Sequence, residues 1–94
     1  MTDDVLDLAA ARAQAYQAGL RERRVAADAG AAELHALIGG PLPDGPTDPA
    51  AAVTALADAL DAGSVATAGP RYFGFVVGGA MPATIAADWL TSGV

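Results

Sequence analysis

Alanine dominates this chain, and that bias limits the hydrophobic core that the chain can build. Alanine supplies 25 of the 94 residues, whereas Leu, Ile, Val and Phe together supply only 20. That share of large apolar residues is close to the level at which chains struggle to bury a core. A domain of this length buries only about 60–65% of its unfolded surface even in a good fold. The composition leaves independent stability in doubt and keeps dependence on a partner or on further polypeptide open.

Charge and rare residue types exclude several functions. The formal net charge is −6, and three of the five basic residues (Arg21, Arg23 and Arg24) lie in one short stretch. This balance argues against nucleic-acid binding and favours a solvated helix end over an anion site. The chain has no lysine and no cysteine, and its acidic start is a poor secretory signal. Without a disulfide framework, we expect a cytoplasmic protein.

Helix signals organise the first two thirds of the chain. The predicted helices span residues 3–23, 29–38 and 49–62. Their candidate caps are Thr2, Asp28, and Thr47 or Asp48. Their predicted apolar faces are Val5, Leu8 or Ala9, Ala13, Tyr16 and Leu20 on the first, Ala31, Leu34, Leu37 and Ile38 on the second, and Val53, Leu56 and Leu60 on the third. Glycines after residue 38 and at residue 63 are typical helix stops.

The last third of the chain carries most of the aromatic side chains. Four of the five aromatic residues are found within eighteen positions, namely Tyr72, Phe73, Phe75 and Trp89. The segment from Tyr72 to Val77 predicts a strand or an extended stretch, and Pro82 predicts the start of a fourth helix. Bare backbone beside large side chains suggests a surface that something approaches closely. The predicted fold is mainly α, with three to four helices and one extended segment near 72–77.

Three other functional interpretations are weaker than plain structural ones. Gly78–Gly79 could cradle a phosphate, but the pair lacks the spacing of a Walker loop or a dinucleotide fingerprint, so a turn is favoured. His35 has only Glu33 as a nearby carboxylate, which favours a surface or packing role over metal binding. The uncharged run 72–87 is shorter than a membrane span and contains a proline, so we expect no membrane insertion.

A distinctive series of motifs follows the third predicted helix. It comprises Pro70-Arg71-Tyr72-Phe73-Gly74-Phe75-Val76, then Gly78-Gly79, then Pro82-Ala83, and then Ala86-Ala87-Asp88-Trp89-Leu90. These motifs resemble the N-terminal portion of the pyridoxal-phosphate-dependent group II amino-acid decarboxylases, the family of aromatic amino-acid and glutamate decarboxylases. Leu42-Pro43 and Asp48-Pro49 stand in similar order in that family. The resemblance thus covers nearly the whole chain.

The resemblance implies a fold, a partner and a set of site residues. Family members are homodimers of the aspartate-aminotransferase type, an α/β fold in which residues 1–69 would form a helical arm that packs across the other subunit. Residues 70–94 would begin the decarboxylase domain and be cut off within a helix. Phe75 and Val76 would form part of the wall of the L-amino-acid substrate pocket. Gly78 and Gly79 would allow close approach and contact the substrate through their backbone.

Departures from the family pattern restrict what this chain can do. Family chemistry needs a lysine that holds pyridoxal phosphate as a Schiff base, and this chain has none. The resemblance therefore implies a fragment with no catalytic residue, no metal ligand and no covalently bound cofactor, inactive by itself. Val77 and Gly78 stand where aromatic-specific members tend to have a proline and a hydroxyl residue. The amino acid that a parent enzyme would decarboxylate is thus left open.

Two classes of function follow from these features. In the first, the chain is the N-terminal fragment of a decarboxylase, and its apolar segment around Tyr72, Phe73, Phe75 and Trp89 is exposed and tends to associate. In the second, the chain is a free-standing helical interaction module, which predicts cooperative unfolding and one defined oligomer. A membrane-associated hairpin is a distant third, and failure to partition into detergent would remove it.

Overall fold

Four helices make up the regular structure of the protein. The computed structural model describes residues 2–94, with side chains from Asp4 onward. The helices are α1 (Thr2–Gly19), α2 (Ala31–Ile38), α3 (Pro49–Gly63) and α4 (Pro82–Gly93). No strand occurs between residues 2 and 94. The mainly helical class is therefore confirmed, whereas the predicted cap at Thr2 lies outside the described side chains.

Helix α1 is shorter at its end than predicted, because it stops at Gly19 and not near residue 23. Glycine is a poor helix former and weakens the last turn. The amides of Glu22 and Arg23 both donate to the carbonyl of Gly19, at 3.1 and 2.9 Å, and close one further turn of chain after the helix. Leu20, at this turn, is only 8% exposed. The turn thus converts the predicted last helical positions into a connection that is anchored by a buried leucine.

Helix α2 begins two residues later than predicted, and Asp28 is not its cap. The cap position is Gly30, which offers no side-chain hydrogen bond. The amides of Asp28 and Ala29 instead donate to the carbonyl of Ala62 at the end of α3, at 3.0 and 2.9 Å. These bonds hold the chain in a non-helical path before α2. The predicted end at residue 38 is confirmed, and Gly40 beyond it has a φ of 126°, which glycine adopts easily.

Helix α3 starts as its sequence predicts. Asp48 occupies the cap position, and one oxygen of its carboxylate accepts a hydrogen bond from the Ala51 amide at 3.1 Å. Pro49 is the first helical residue, where its missing N–H costs nothing. Met81 and Pro82 open α4 in a similar way, and the Met81 amide donates to the Thr84 hydroxyl at 3.3 Å. Both starts were predictable because all of their determinants are local in sequence.

Removing the α3 cap is expected to destabilise the protein. Asp48→Ala should lower the free energy of unfolding by about 1 kcal/mol, because the Ala51 amide loses its acceptor at the positive end of the helix dipole. Chemical denaturation followed by circular dichroism measures the change. Thr47→Ala is the matched control, because Asp48, and not Thr47, accepts that bond. Equal losses for the two variants would contradict the assignment of Asp48 as the cap.

The segment near 72–77, predicted as a strand or an extended stretch, contains no strand and turns at residues 74–76. Residues 74–76 bend the chain, and Phe75 has a φ of 27°. A single strand needs a neighbouring strand to satisfy its backbone, and the described residues supply none. The aromatic and β-branched residues in this segment therefore raise strand propensity without a sheet to join. The strand prediction was wrong for this reason.

Small side chains make the closest contacts between helices. Helix α3 packs against both α1 and α2. Ala59 on α3 is 4% exposed and Ala66 just after it is 1% exposed. At Gly63, an added Cβ would lie 2.6 Å from a methyl carbon of Leu34, so α2 approaches α3 over a residue without a side chain. The helices thus pack through alanine and glycine faces, while larger apolar side chains remain near the surface.

Ion pairs connect both α1 and the turn after α1 to α3. The Arg12 guanidinium lies 2.8 Å from the Asp58 carboxylate and 3.9 Å from that of Asp61. Arg23 pairs with Asp61 at 3.1 Å, donates to the Asp61 carbonyl, and stacks 4.7 Å from the centre of the Tyr16 ring. These contacts give the arginine stretch of the sequence a structural role. Arg23 fixes the turn after α1 against the end of α3.

Loss of the shared carboxylate should weaken this network. Asp61→Ala is expected to lower the free energy of unfolding by about 1 kcal/mol, since the groups are partly exposed and water screens them. The difference should shrink at high salt, which screens exposed charges. Thermal unfolding at low and high ionic strength measures it. Asp44→Ala in the exposed loop before α3 is the control, and a loss at Asp61 no larger than at Asp44 would contradict a stabilising network.

Helix α4 lies apart from the others and leaves the protein open. No Cα atom of α4 comes within 8 Å of a Cα atom of the other described helices. The radius of gyration is 15.0 Å, compared with about 12 Å for a compact domain of this length. The accessible surface is 7160 Å², compared with about 5,000 Å² for a folded monomer of this mass. The chain therefore leaves about 2,000 Å² uncovered that an ordinary domain would bury.

Candidate binding surfaces

The four predicted site residues lie on one exposed loop. We call residues 73–80, between the connection after α3 and the start of α4, the aromatic loop. Phe75 is 92% exposed in this loop, and Val76 is fully exposed. A Cβ added at Gly78 would meet nothing within 4 Å, and one at Gly79 would meet only the Ala68 carbonyl, at 3.9 Å. The loop therefore carries Phe75, Val76, Gly78 and Gly79 together, open to solvent.

Phe75 combines exposure with backbone strain. Its φ of 27° is a conformation that bulky residues rarely adopt. Such conformations cost about 1–3 kcal/mol and are found most often at binding and catalytic sites. Phe73 in the same loop is 93% exposed. Two fully exposed phenylalanines within three residues form an apolar surface that solvent alone does not favour.

The connection between α3 and the aromatic loop is held to the rest of the fold. The Ala66 amide donates to the Val25 carbonyl at 2.9 Å, and the Arg71 guanidinium donates to the carbonyl of Arg23. The Tyr72 amide makes a longer bond, 3.4 Å, to the Gly69 carbonyl. Tyr72 is half-buried, unlike the phenylalanines that follow it. The hydrogen bonds that hold this connection therefore end at Tyr72.

A second surface was not predicted from the sequence. A cleft of about 780 Å³ opens between α1, α3 and α4. Its α3 wall carries the residues Val53, Leu56 and Leu60, which we call the leucine stripe, and its α4 wall carries Ile85 and Trp89. Leu56, Leu60 and Trp89 are 53%, 56% and 43% exposed. Helical periodicity predicted the leucine stripe, but not that it faces a cleft while alanines pack the interior.

The cleft and the aromatic loop are separate places. None of the four predicted site residues lines the cleft in the part of the chain that the structure describes. The polar part of the cleft lining includes Arg12 and Asp61. Most of the lining is apolar, and alanine, leucine and valine contribute much of it. The cleft thus suits an apolar occupant, whereas the aromatic loop offers an apolar contact with bare backbone beside it.

Two further kinds of site, a metal site and a membrane-spanning helix, are not found among the described residues. Among the side chains of residues 4–94, no three of His, Cys, Asp or Glu are grouped so that they could hold a metal ion. His35 is exposed. Across the described helices, none combines the length and the apolar character that crossing a bilayer requires.

Comparison with known proteins adds no identification. No family profile, curated protein or solved structure matches this chain. Function must therefore be argued from the residues and from the two surfaces.

Proposed function

We propose that this chain serves as the N-terminal segment of a pyridoxal-phosphate-dependent L-amino-acid decarboxylase of the group II type. In this role residues 1–69 are a dimer arm, and residues 70–94 begin the enzyme domain, which has the aspartate-aminotransferase type of α/β fold. The motif series from Pro70 to Leu90 supports the family assignment. The partner is a second subunit or the remainder of the enzyme, and the setting is the cytoplasm.

The accessible surface in excess of that of a folded monomer is the structural observation that best supports this proposal. The excess of about 2,000 Å² over a folded monomer is close to what one partner loses in an obligate interface. Phe73 and Phe75 account for the most apolar part of that surface, with exposures of 93% and 92%. An arm that packs across another subunit would cover such residues. The large exposed surface is then expected, because the chain is one part of a larger assembly.

The aromatic loop supplies the proposed pocket wall. Phe75 and Val76 present apolar side chains for the side chain of the substrate. Gly78 and Gly79 have open space where other residues have a Cβ, so a ligand or a second subunit can reach their backbone. These four residues bind substrate and do not catalyse.

The cofactor does not fit this chain by itself. Covalent attachment of pyridoxal phosphate needs a lysine amine, and the 94 residues contain none. We therefore derive no catalytic step through the cofactor and expect the isolated chain to be inactive. Any lysine, and the chemistry that depends on it, would come from polypeptide outside these residues.

Coexpression tests the proposal. The chain would be produced with the coding sequence found downstream of its last codon, in each reading frame. We expect a copurifying, lysine-bearing polypeptide whose complex shows the absorbance of bound pyridoxal phosphate and releases CO₂ from an L-amino acid. Phe75→Ala in that complex should raise KM more than it lowers kcat, with Leu42→Ala as the control. No lysine-bearing frame, or no copurification, would contradict the proposal.

A free-standing helical interaction module is the second candidate. The observation that favours it is the ion-pair network among Arg12, Arg23, Asp58 and Asp61, which ties α1 to α3 without any added polypeptide. This candidate predicts one cooperative unfolding transition and one defined oligomer for the purified chain. A polydisperse sample without a cooperative transition would count against it.

A further inference from the structure

We infer that α4 is a hinged lid that closes over the leucine stripe, with Ile85 and Trp89 as the side chains that cover it. This inference does not depend on the proposed function. It concerns only how the chain covers its own cleft. Four observations carry it: the matched apolar walls, the isolation of α4, the unbonded connection to it, and its tether.

The two walls of the cleft are complementary in chemistry. The leucine stripe presents Leu56 and Leu60, each more than half exposed, and the opposite wall presents Ile85 and Trp89. These half-exposed apolar side chains line the same cleft. Contact between the two walls would stabilise the protein, because it removes apolar surface from water. Trp89 is already more shielded than the leucines, at 43% exposed. The open cleft is therefore the less favourable of two arrangements.

Helix α4 needs a surface on which to pack. It has 12 residues, and no Cα atom of it comes within 8 Å of a Cα atom of α1, α2 or α3 as described. Isolated helices of about 12–15 residues are marginal in water. Its ordered ends come from local bonds such as Met81 to Thr84. Packing of Ile85 and Trp89 against the leucine stripe would supply the tertiary support that α4 lacks.

The connection to α4 is free to move. Within the described chain, residues 73–80 make no backbone–backbone hydrogen bond and no hydrogen bond through a side chain. Segments with exposed, unbonded backbone open and close at little cost. Gly78 and Gly79 add freedom in φ at the end nearest α4. The aromatic loop is therefore a hinge with its fixed side at Tyr72 and its moving side at Met81.

The short linker between Tyr72 and Met81 favours α4 over a second copy of the chain as the occupant of the cleft. A short flexible linker gives the attached group an effective concentration in the millimolar range. The nine Cα–Cα steps from Tyr72 to Met81 span at most about 30 Å, which permits closure and keeps α4 near the cleft. A second copy of the chain in dilute solution is present at far lower concentration. The attached helix therefore reaches the leucine stripe first.

Disulfide trapping in the complete chain tests closure directly. The protein has no cysteine, so the double variant Leu60→Cys, Ile85→Cys contains one possible pair. In the open arrangement the two Cα atoms are more than 8 Å apart, which is too far for a disulfide. We expect an intrachain bond to form under mild oxidation at least about tenfold faster than in Leu42→Cys, Ile85→Cys. Leu42 lies in the exposed loop before α3 and does not line the cleft.

The products and one further measurement keep the test decisive. A bond between chains, or equal rates in both double variants, would overturn the lid. Trp89 is the only tryptophan, so acrylamide quenching of its fluorescence reports closure without cysteines. Leu56→Asp should raise the quenching constant at least about twofold, while Leu42→Asp should leave it unchanged. Shielding that disappears on dilution would assign the cover to a second copy and overturn the inference.

Discussion

Leu20→Ala is expected to lower the free energy of unfolding by about 2–5 kcal/mol, the usual cost of deleting a buried leucine side chain. Only Leu20, Ala59 and Ala66 are buried among the described side chains, so Leu20 is the one large group in the core. A chain of this length has a net stability near 5 kcal/mol at the low end of ordinary domains. We therefore expect a clearly lower urea midpoint, because the loss amounts to at least about two fifths of that net stability. Urea unfolding followed by far-ultraviolet circular dichroism measures it.

The control for this variant is another leucine that the fold does not use. Leu42 is 90% exposed in the loop before α3. Leu42→Ala should change the free energy of unfolding by less than about 0.5 kcal/mol, as exposed substitutions usually do. Comparable losses in the two variants would show that the turn after α1 does not anchor the fold. The comparison separates burial from the general cost of losing a leucine.

The double variant Phe73→Asp, Phe75→Asp is expected to weaken association of the chain at least about 30-fold. A loss of about 1 kcal/mol for each of two buried aromatic side chains sums to about 2 kcal/mol, which is about 30-fold in affinity. Both phenylalanines are more than 90% exposed in the single chain, so helix content should not change. Sedimentation velocity over a range of concentrations measures the association, and circular dichroism checks the fold.

The outcome of this second experiment distinguishes contact residues from incidental ones. Leu42→Asp adds a charge at an equally exposed apolar position outside the aromatic loop and should leave association unchanged. Identical sedimentation of the double variant and the wild-type chain would remove the aromatic loop from any interface. The decarboxylase-segment proposal predicts an effect, since it uses the loop as a contact surface.

The sequence correctly predicted the helix starts that neighbouring residues control. Asp48 and Pro49 lie next to the helix that they start, and the structure confirms that start. The end of α1 follows from Gly19 and the local bonds to its carbonyl, whereas the start of α2 depends on contacts across the chain, namely the bonds from Asp28 and Ala29 to Ala62. A sequence pattern does not contain those contacts. Boundaries were therefore wrong where a distant carbonyl competed with the helix.

Periodicity identified apolar faces but not their use. The leucine stripe was predicted as the buried face of α3, yet Leu56 and Leu60 are exposed while Ala59 is buried. Two helices approach more closely over alanine and glycine, so the small face forms the interface and the large face is left outside. The alanine-rich composition was the available signal. For Phe75, Val76, Gly78 and Gly79, the structure shows their shared position, and their role as a binding site remains a prediction.

The unbonded aromatic loop has a consequence for the life of the chain in a cell. Proteases need an extended, flexible stretch of backbone, and bulky apolar residues such as Phe73 and Phe75 are sites that many of them prefer. A single cut there would release α4 and leave the segment from α1 to α3, in which ion pairs join α1 to α3. Whatever covers the loop would also protect it from cleavage. We therefore expect the abundance of the chain to follow the abundance of its partner, so that unassembled copies are removed.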